Sequence, residues 1–453
     1  MTRAPSEPQR VTVLGLGVFG GGAGAARYFA QRGARVHVTD LRHETELKES
    51  LDALSDLPVS YHFGEHSPAD FAGADLVVVN PAVPPDAPAL AMAREAGARI
   101  DTEINLFLKL CQAPVTAVTG THGKSTTAAM LGDMLRAAGL RTWVGGNLGG
   151  SLLPSVDGIR QKDAVVLEIS SFQAQRLRWL RKSPHVVVAL NLTPNHLDRH
   201  ADIEEYAAAK RELLRYQGLC DYAVLNADDP ALRAWRETGG GCKLFIGEKT
   251  DDADIRLAGE HVLAGAPEPW LEFSVSRLRI PGGHNRFNAA CAGVAASLLG
   301  APREAIESAV GAFKGLPERL EFVRERDGVH YYNDSIATTP ESAMAALDAF
   351  DAPVVLIAGG SSKNHAFDRL GERIRTRCRA AVLVGRTAEE IAKAIGDGVP
   401  VARHKQFRPA VADAARRAQP GDIVLLAPAC ASFDLFRNYR ERGRAFVEAV
   451  NAL

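Results

Sequence analysis

The chain lacks the features that mark membrane, secreted or nucleic-acid-binding proteins. Its 453 residues contain no uninterrupted apolar run of membrane-spanning length, and residues 1–10 hold no apolar stretch that could act as a signal peptide. The six cysteines are scattered, without the paired spacing of zinc sites or disulfide scaffolds. A formal net charge of −1 gives no electrostatic reason to expect nucleic acid or membrane as a partner. We expect a cytoplasmic monomer that binds small molecules.

The chain is too long for one hydrophobic core, and its 453 residues predict about three domains. Three blocks of alternating strand and helix patterns support domains at 1–110, 111–315 and 316–453. Such alternation predicts an α/β fold with parallel sheets, Rossmann-like in the first and third domains and of the P-loop ATPase type in the central one. The strands predicted most clearly are 11–14, 35–39, 75–79, 115–118, 164–167, 185–190, 222–225, 354–357, 381–384 and 423–426.

A glycine-rich turn follows the first predicted strand. Gly15, Gly17 and Gly20 have the GxGxxG spacing, and Asp40 follows about twenty residues later at the end of the next strand. This pattern is typical of NAD binding and would suggest a dehydrogenase. It describes equally well a turn that lets any diphosphate approach a helix N-terminus, or one that only packs strand against helix. The residues alone leave these interpretations open.

The most informative stretch is TGTHGKST at residues 119–126, which joins a predicted strand to a predicted helix. Its two glycines allow the backbone to curl so that consecutive N–H groups point inward. Lys124 adds a positive charge, and the hydroxyls after it can reach Mg²⁺. The general phosphate-loop pattern would place glycine at position 118, which is Val118 here. Because strand, glycines, lysine and hydroxyls occur together in this order, the stretch predicts a cradle for nucleotide phosphates.

Polar residues follow the next two predicted strands of the second block. Glu168 comes directly after one strand, where a carboxylate can hold Mg²⁺. Residues 191–200, NLTPNHLDRH, follow the other, and His196 is a candidate metal ligand or substrate contact. Zinc is not expected, because no Cys or His partner has ligand spacing. Lys210 lies on a helical pattern, and its spacing alone predicts a solvated lysine.

A series of motifs in one order spans nearly the whole chain and resembles that of the Mur ligases, ATP-dependent amide-forming enzymes of peptidoglycan precursor assembly. The motifs are 119–126, 146–147, 168–173, 191–200, 206–210, 283–288, 316–319, 333–335 and 359–363. Two further segments, NPAVP at 80–84 and LAPACASFDLFRNYRERG at 426–443, are similar to those of the members that add D-glutamate to UDP-N-acetylmuramoyl-L-alanine.

The resemblance implies the three-domain fold, ATP, two Mg²⁺ sites and a carbamylated Lys210. Within the class it leaves open a Mur-like ligase that adds L-glutamate or another amino acid, because Ile336 stands where the family commonly has lysine. The alternative from another class, an NAD-dependent dehydrogenase, gives no role to Lys124, Glu168 or the third block.

The resemblance also implies a role for each matching residue. ATP would contact Gly120, Thr121, His122, Gly123, Lys124, Ser125, Thr126, Asn285, Asn288, Arg319 and Asp334. The metal ligands would be Ser125, Glu168, His196 and Lys210, and the catalytic residues Lys124, His196 and Lys210. The nucleotide-sugar would contact Gly17, Phe19, Asp40, Asn147, Gln173 and His196, and the glutamate Lys363, Ser432 and Tyr439.

Overall fold

The computed structural model of the protein describes residues 8–17, 20–194, 199–265, 269–361 and 366–453. Three sheets of five, nine and six strands follow one another along the chain. Its contacts define two units, one comprising the chain up to Ser276 with Phe287–Val310, the other Arg277–Arg286 with Gly311–Leu453. No helix among the described residues is long and apolar enough to cross a membrane.

The first sheet has the strand order β3-β2-β1-β4-β5, and all its neighbouring strands are parallel. The order reverses at β1 and β4, so their carboxyl ends flank the crevice where open α/β sheets bind ligands. This sheet confirms the three strands predicted there. Its strands are β1 Arg10–Leu14, β2 Arg35–Asp40, β3 Val59–Phe63, β4 Leu76–Val79 and β5 Arg99–Asp101, and its helices are α1 Gly21–Ala30, α2 Lys48–Asp52, α3 Pro88–Glu95 and α4 Glu103–Leu110.

The second sheet has the order β14-β13-β12-β11-β10-β9-β6-β8-β7, and it is parallel except for the meander β12-β13-β14. Its strands are β6 Val115–Thr119, β7 Thr142–Gly146, β8 Ala164–Glu168, β9 Val186–Ala189, β10 Tyr222–Asn226, β11 Cys242–Gly247, β12 Ile255–Ala258, β13 His261–Ala264 and β14 Leu271–Ser274. The helices are α5 Lys124–Ala137, α6 Ser171–Ala174, α7 Leu177–Leu180, α8 Ile203–Arg211, α9 Pro230–Arg233, α10 Gly283–Leu298 and α11 Arg303–Ala312.

The third sheet lies in the second unit and has the order β15-β16-β20-β17-β18-β19. Only β15 and β16 pair antiparallel, and β20 lies between β16 and β17. Its strands are β15 Glu321–Arg326, β16 Val329–Asn333, β17 Val354–Ala358, β18 Cys378–Val384, β19 Val401–His404 and β20 Ile423–Leu426. The helices are α12 Pro340–Asp348, α13 Asp368–Arg377, α14 Ala388–Ile395, α15 Phe407–Arg417 and α16 Tyr439–Asn451.

The central strands are buried along their whole length, as β6, β8 and β9 show. Helices on both faces of a parallel sheet favour such continuous apolar strands, which is why the sequence revealed them. The first two sheets contribute to one apolar cluster that contains Val13 and Val38 as well as Val187 and Leu225. They therefore share a core within the first unit, and the limits predicted between domains stay a prediction.

Candidate active site

The stretch 119–126 forms the turn between β6 and α5. Gly123 caps the helix with φ 82° and ψ −10°, a left-handed conformation that favours glycine. A Cβ atom at Gly123 would lie 2.5 Å from Oδ1 of Asn288, so the turn has no room for a side chain there. The helix begins at Lys124, and its first N–H groups have no partner within the helix. This is the backbone arrangement that binds phosphate at a helix N-terminus.

Asn191 holds the front of this turn from the end of the neighbouring strand β9. Its Oδ1 accepts the N–H groups of Thr121 at 3.1 Å and His122 at 2.8 Å, and its Nδ2 donates to the carbonyl of His122 at 3.1 Å. Asn191 therefore shapes the phosphate loop, a role that its place in a motif rich in polar residues did not reveal.

The side chains after Gly123 have different exposures. Lys124 is half-buried, and its Nζ donates to the carbonyl of Thr121 at 2.8 Å, which folds the ammonium back over the loop. Ser125 is also half-buried, whereas Thr126 is buried. The structure thus favours Ser125 over Thr126 as the hydroxyl that reaches a cation.

A buried lysine lies beneath the loop. Lys210 on α8 is 1% exposed, and its Nζ donates to Oγ1 of Thr119 at 3.2 Å and lies 4.7 Å from the ring centroid of Tyr206. Its spacing in the sequence predicted a solvated lysine, and that prediction is wrong, because α8 turns this side chain into the core. Burial first, and then the charge of Lys124, lower the pKa of Lys210 to about 7, and Glu168 opposes them.

Glu168 completes this layer at the carboxyl end of β8. It is 4% exposed and lies opposite Val118 in the pairing of β8 with β6, so it stands beside the start of the phosphate loop. Ser125 and Glu168 offer the oxygen donors that Mg²⁺ prefers. His196, the third predicted ligand, lies outside the described residues. Within the described ranges no three His, Cys, Asp or Glu side chains are grouped to hold a metal ion.

The first glycine turn has a carboxylate at its centre. Oδ2 of Asp40 accepts the N–H of Gly17 at 3.2 Å, and Oδ1 accepts the N–H of Arg42 at 2.9 Å. A Cβ atom at Gly17 would lie 2.5 Å from Nδ2 of Asn80, so the turn packs directly on the segment after β4. The structure brings Gly17 and Asp40 together, whereas Phe19 lies outside the described residues.

Asn147 and Gln173 flank Glu168. The N–H of Asn147 donates to the Glu168 carbonyl at 3.0 Å, and its side chain is exposed. Gln173 is buried, and its Oε1 accepts the N–H of Ser170 at 2.9 Å and the Ser170 hydroxyl at 3.0 Å in a capping box. The side-chain oxygen of Gln173 thus already accepts two hydrogen bonds from Ser170. The side-chain NH₂ group is the part of Gln173 that could bind a substrate.

In the second unit, Asp334 follows β16. Its Oδ1 accepts the N–H of Leu320 at 3.1 Å, and burial raises the pKa of Asp334 to about 6, opposed by that N–H and by Arg319. Next to it, the hydroxyl of Ser335 donates to the carbonyl of Tyr439 at 2.7 Å. The predicted contacts Arg319, Asp334 and Tyr439 therefore lie in one neighbourhood.

The buried guanidinium of Arg442 joins this neighbourhood to the segment that carries Ser432. It donates to the carbonyl of Ser335 at 2.9 Å and to the carbonyl of Cys430 at 3.1 Å. Ser432 itself is buried. Lys363, the other predicted glutamate contact, lies outside the described residues.

Two predicted ATP contacts, Asn285 and Asn288, occupy the first turns of α10. Asn288 belongs to the first unit and packs against Gly123. Asn285 belongs to the second unit and donates through Nδ2 to the carbonyl of Pro281 at 2.6 Å. Both side chains are buried.

Comparison with known proteins identifies the class of this protein. Three family models match it in order: "Mur ligase MurD-like, N-terminal domain" at residues 9–101, "Mur ligase middle domain" at 118–296 and "Mur ligase, glutamate ligase domain" at 318–430. The chain belongs to the Mur ligase family, so the predicted resemblance and the three-domain α/β fold are confirmed.

The chain is similar along its length to proteins named UDP-N-acetylmuramoylalanine--D-glutamate ligase. That of Symbiobacterium thermophilum is 41% identical and that of a Roseiflexus species 42%, each with 98% of both chains covered. Among solved structures, UDP-N-acetylmuramate-alanine ligase of Thermotoga maritima aligns with a TM-score of 0.64 at 20% identity, covering 98% of this chain and all of that one. MurF of Acinetobacter baumannii aligns with a TM-score of 0.60 at 18% identity, covering 99% of this chain and 95% of that one. At these identities the structural matches establish the fold alone.

Proposed function

We propose that this protein is an ATP-dependent ligase that adds D-glutamate to UDP-N-acetylmuramoyl-L-alanine in peptidoglycan precursor synthesis. The observation that carries the proposal is identity of about 40% over nearly the full length to relatives named for this reaction. The L-glutamate alternative has no comparable support among these relatives. A dehydrogenase would leave the phosphate loop and the glutamate ligase domain unexplained.

The reaction follows from the charges of the groups involved. A carboxylate is a poor electrophile, so the substrate carboxylate first attacks the γ-phosphorus of ATP, giving an acyl phosphate and ADP. The amine of glutamate then attacks the acyl carbon, loses a proton, and expels phosphate. Lys124 offsets the charge repulsion of the first step, and the helix N-terminus of α5 receives phosphate oxygens.

The residues present fit a magnesium ion beside the loop. Ser125 and Glu168 would hold Mg²⁺, and His196 would complete its ligands. When bound, the ion would neutralise phosphate charge and draw electrons from the transferring phosphoryl group.

Lys210 is the candidate for carbamylation. An amine with a pKa of about 7 is largely neutral at pH values above it, so its lone pair can attack CO₂. The N–C bond forms, the nitrogen loses a proton to solvent, and an anionic carbamate results. Such an anion would remove the repulsion with Lys124 and support a second Mg²⁺. Enzyme equilibrated with ¹³C-bicarbonate should show a carbamate carbon signal by NMR that is absent from Lys210→Met. Equal signals in both proteins would exclude this site.

The remaining predicted contacts are assigned to the three substrates as the family resemblance implies. ATP would also contact Asn285, Asn288, Arg319 and Asp334, the nucleotide-sugar Gly17, Phe19, Asp40, Asn147 and Gln173, and the glutamate Lys363, Ser432 and Tyr439. That the protein is a monomer and lies in the cytoplasm stays a prediction.

A single assay tests the proposal. Purified protein is incubated with UDP-N-acetylmuramoyl-L-alanine, ATP, Mg²⁺ and either D- or L-glutamate, and phosphate release is followed. We expect release with D-glutamate and none when UDP-N-acetylmuramate replaces the alanine-bearing acceptor. Release with L-glutamate alone would establish the alternative, and release with neither isomer would overturn the proposal.

A further inference from the structure

A buried arginine of the central domain contacts the nucleotide-binding domain. Arg176 stands between α6 and α7, only 2% exposed, and its Nη2 donates to the carbonyl of Val83 at 2.8 Å. The backbone of Arg176 is fixed in turn, because Nδ2 of the buried Asn105 on α4 donates to its carbonyl at 2.9 Å. The guanidinium is therefore held rigidly where the two domains meet within the first unit.

The charge of Arg176 is not neutralised by a carboxylate in the described part of the chain. No salt bridge among the described residues includes it, and its Nε has no hydrogen-bond partner there. Burial is the main cause that lowers the pKa of Arg176 to about 10, and the positive charges of Arg178, Arg94 and Arg199 add to it. The group still carries its charge at neutral pH. The guanidinium carbon of Arg176 lies 4.7 Å from the ring centroid of Trp179, and this contact offsets only part of the cost of a buried charge without a counter-ion. A role in folding alone therefore explains the charge poorly.

The carbonyl that Arg176 binds belongs to a turn that supports the first glycine loop. Residues 80–85 form this turn after β4, and the N–H of Asn80 donates to the carbonyl of Leu14 at 2.9 Å. The Asn80 side chain fills the space where Gly17 would carry a Cβ atom, with Nδ2 only 2.5 Å from that position. A displacement of the Val83 carbonyl would therefore be transmitted to Asn80 and to the glycine loop.

A second arginine binds the same turn from the central domain. Arg199 donates to the carbonyl of Ala82, and its guanidinium lies 5.5 Å from the ring centroid of Phe172. Unlike Arg176, it is exposed. Two consecutive carbonyls of the turn are thus bound by cations that come from segments next to Gln173 and His196.

We propose that Arg176 is a positioning residue for the nucleotide-sugar substrate. Its guanidinium fixes the turn 80–85 relative to the central domain, and this turn supports the loop around Gly17 that would hold the nucleotide portion. The inference rests on the proposed function in assigning the nucleotide-sugar to this loop. Arg176 does not touch the reacting atoms, and its effect is expected on binding of the nucleotide portion.

The test compares three variants in the full-length protein. Arg176→Met removes the donor, Arg176→Lys retains charge with one donor, and Arg178→Met removes an exposed arginine of the same segment as the matched control. We expect the KM for UDP-N-acetylmuramoyl-L-alanine to rise about tenfold in Arg176→Met and less in Arg176→Lys, because a charged donor to a buried carbonyl is lost. KM for ATP and kcat should stay within about twofold, and Arg178→Met should match wild type.

Binding of UDP, measured by calorimetry without ATP, separates this inference from the proposed function. UDP affinity that falls in Arg176→Met but not in Arg178→Met supports the positioning role even if no turnover is found. Unchanged UDP affinity in folded Arg176→Met, or a parallel rise of every KM, would overturn it. If Arg176→Met fails to fold, Arg199→Met decides, with an expected loss of about threefold in UDP affinity and no change as the contrary result.

Discussion

The two glycine turns of the first unit have a similar backbone conformation but different side chains around them. Each joins a parallel strand to a helix, and each ends in a left-handed glycine, Gly20 with φ 83° and ψ −12°, Gly123 with φ 82° and ψ −10°. The side chains around them differ. An uncharged amide, Asn191, accepts two N–H groups of the second turn, whereas a carboxylate, Asp40, accepts one of the first.

This difference bears on the proposal that the second turn holds the phosphates of ATP. The second turn is followed by Lys124 and hydroxyls, and no carboxylate accepts its N–H groups in the described structure. In the first, the carboxylate of Asp40 accepts the N–H of Gly17 and suits the part of a nucleotide that offers hydroxyl or N–H donors, such as the ribose or the base. Backbone geometry thus permits anion binding, and the charges of the surrounding side chains determine which ligand is bound.

The largest effect is expected from removing the cation of the second turn. Lys124→Ala should lower kcat about a thousandfold, because in the proposed reaction this lysine neutralises the transferring phosphoryl group. Phosphate release under saturating ATP measures it. Lys109→Ala, which removes an exposed lysine of α4 outside both turns, is the control and should keep its rate. Wild-type turnover in Lys124→Ala would show that the positive charge after the second turn is not needed for the reaction.

The next effect concerns the amine beneath the phosphate loop. The pKa of Lys210 is lowered to about 7 in the folded protein from 10.5, so the unfolded chain binds more protons between these values. Stability should therefore rise with pH from about 7 to about 10, by at most about 1.4 kcal/mol per pH unit. The urea midpoint in CO₂-free buffer measures it, with Lys210→Met as the control that lacks this rise. The same slope in both proteins would show that Lys210 titrates normally.

A matched pair of glycine substitutions compares the turns directly. Ala at either cap adopts a left-handed conformation that costs about 1–2 kcal/mol. At Gly20 the new Cβ would be 3.9 Å from the nearest atom, whereas at Gly123 it would meet Asn288 at 2.5 Å. We expect Gly123→Ala to be destabilised by about 1 kcal/mol more than Gly20→Ala, since a packed side chain must move. Equal unfolding midpoints would mean that the Asn288 side chain moves away from the new methyl group without loss of stability.

The smallest effect tests the two side chains that hold the turns. Asn191→Asp places a negative charge beside the phosphate loop and should raise the KM for ATP about threefold. The reciprocal change, Asp40→Asn, should leave the KM for ATP unaltered. If both variants bind ATP equally well, the choice of amide or carboxylate does not distinguish the turns.

The sequence predicted those parts of the structure that depend on local patterns. Buried strands such as β9 and β20 appear as continuous apolar runs. The meander β12-β13-β14 was missed, because alternating burial in strands of four residues gives a weak signal. The phosphate loop was predicted from its glycines and Lys124 despite Val118.

Features that depend on contacts distant in sequence could not be predicted. Lys210 reaches Thr119 across 91 residues and Arg176 reaches Val83 across 93, and nothing in their neighbouring residues indicates burial. Arg176 lies among other arginines and looks like part of a solvated surface. The roles of such residues become visible only when the sheets are assembled.

The position of β20 bears on how the protein is synthesised. The first sheet is complete once residue 101 has left the ribosome, whereas the third sheet needs β20 at its centre, between β16 and β17. Until Leu426 emerges, both of those strands present unpaired edges that favour wrong associations. A nonsense mutation shortly before Ile423 would therefore leave the first sheet intact and the glutamate ligase domain split in two, a fragment suited to aggregation or proteolysis.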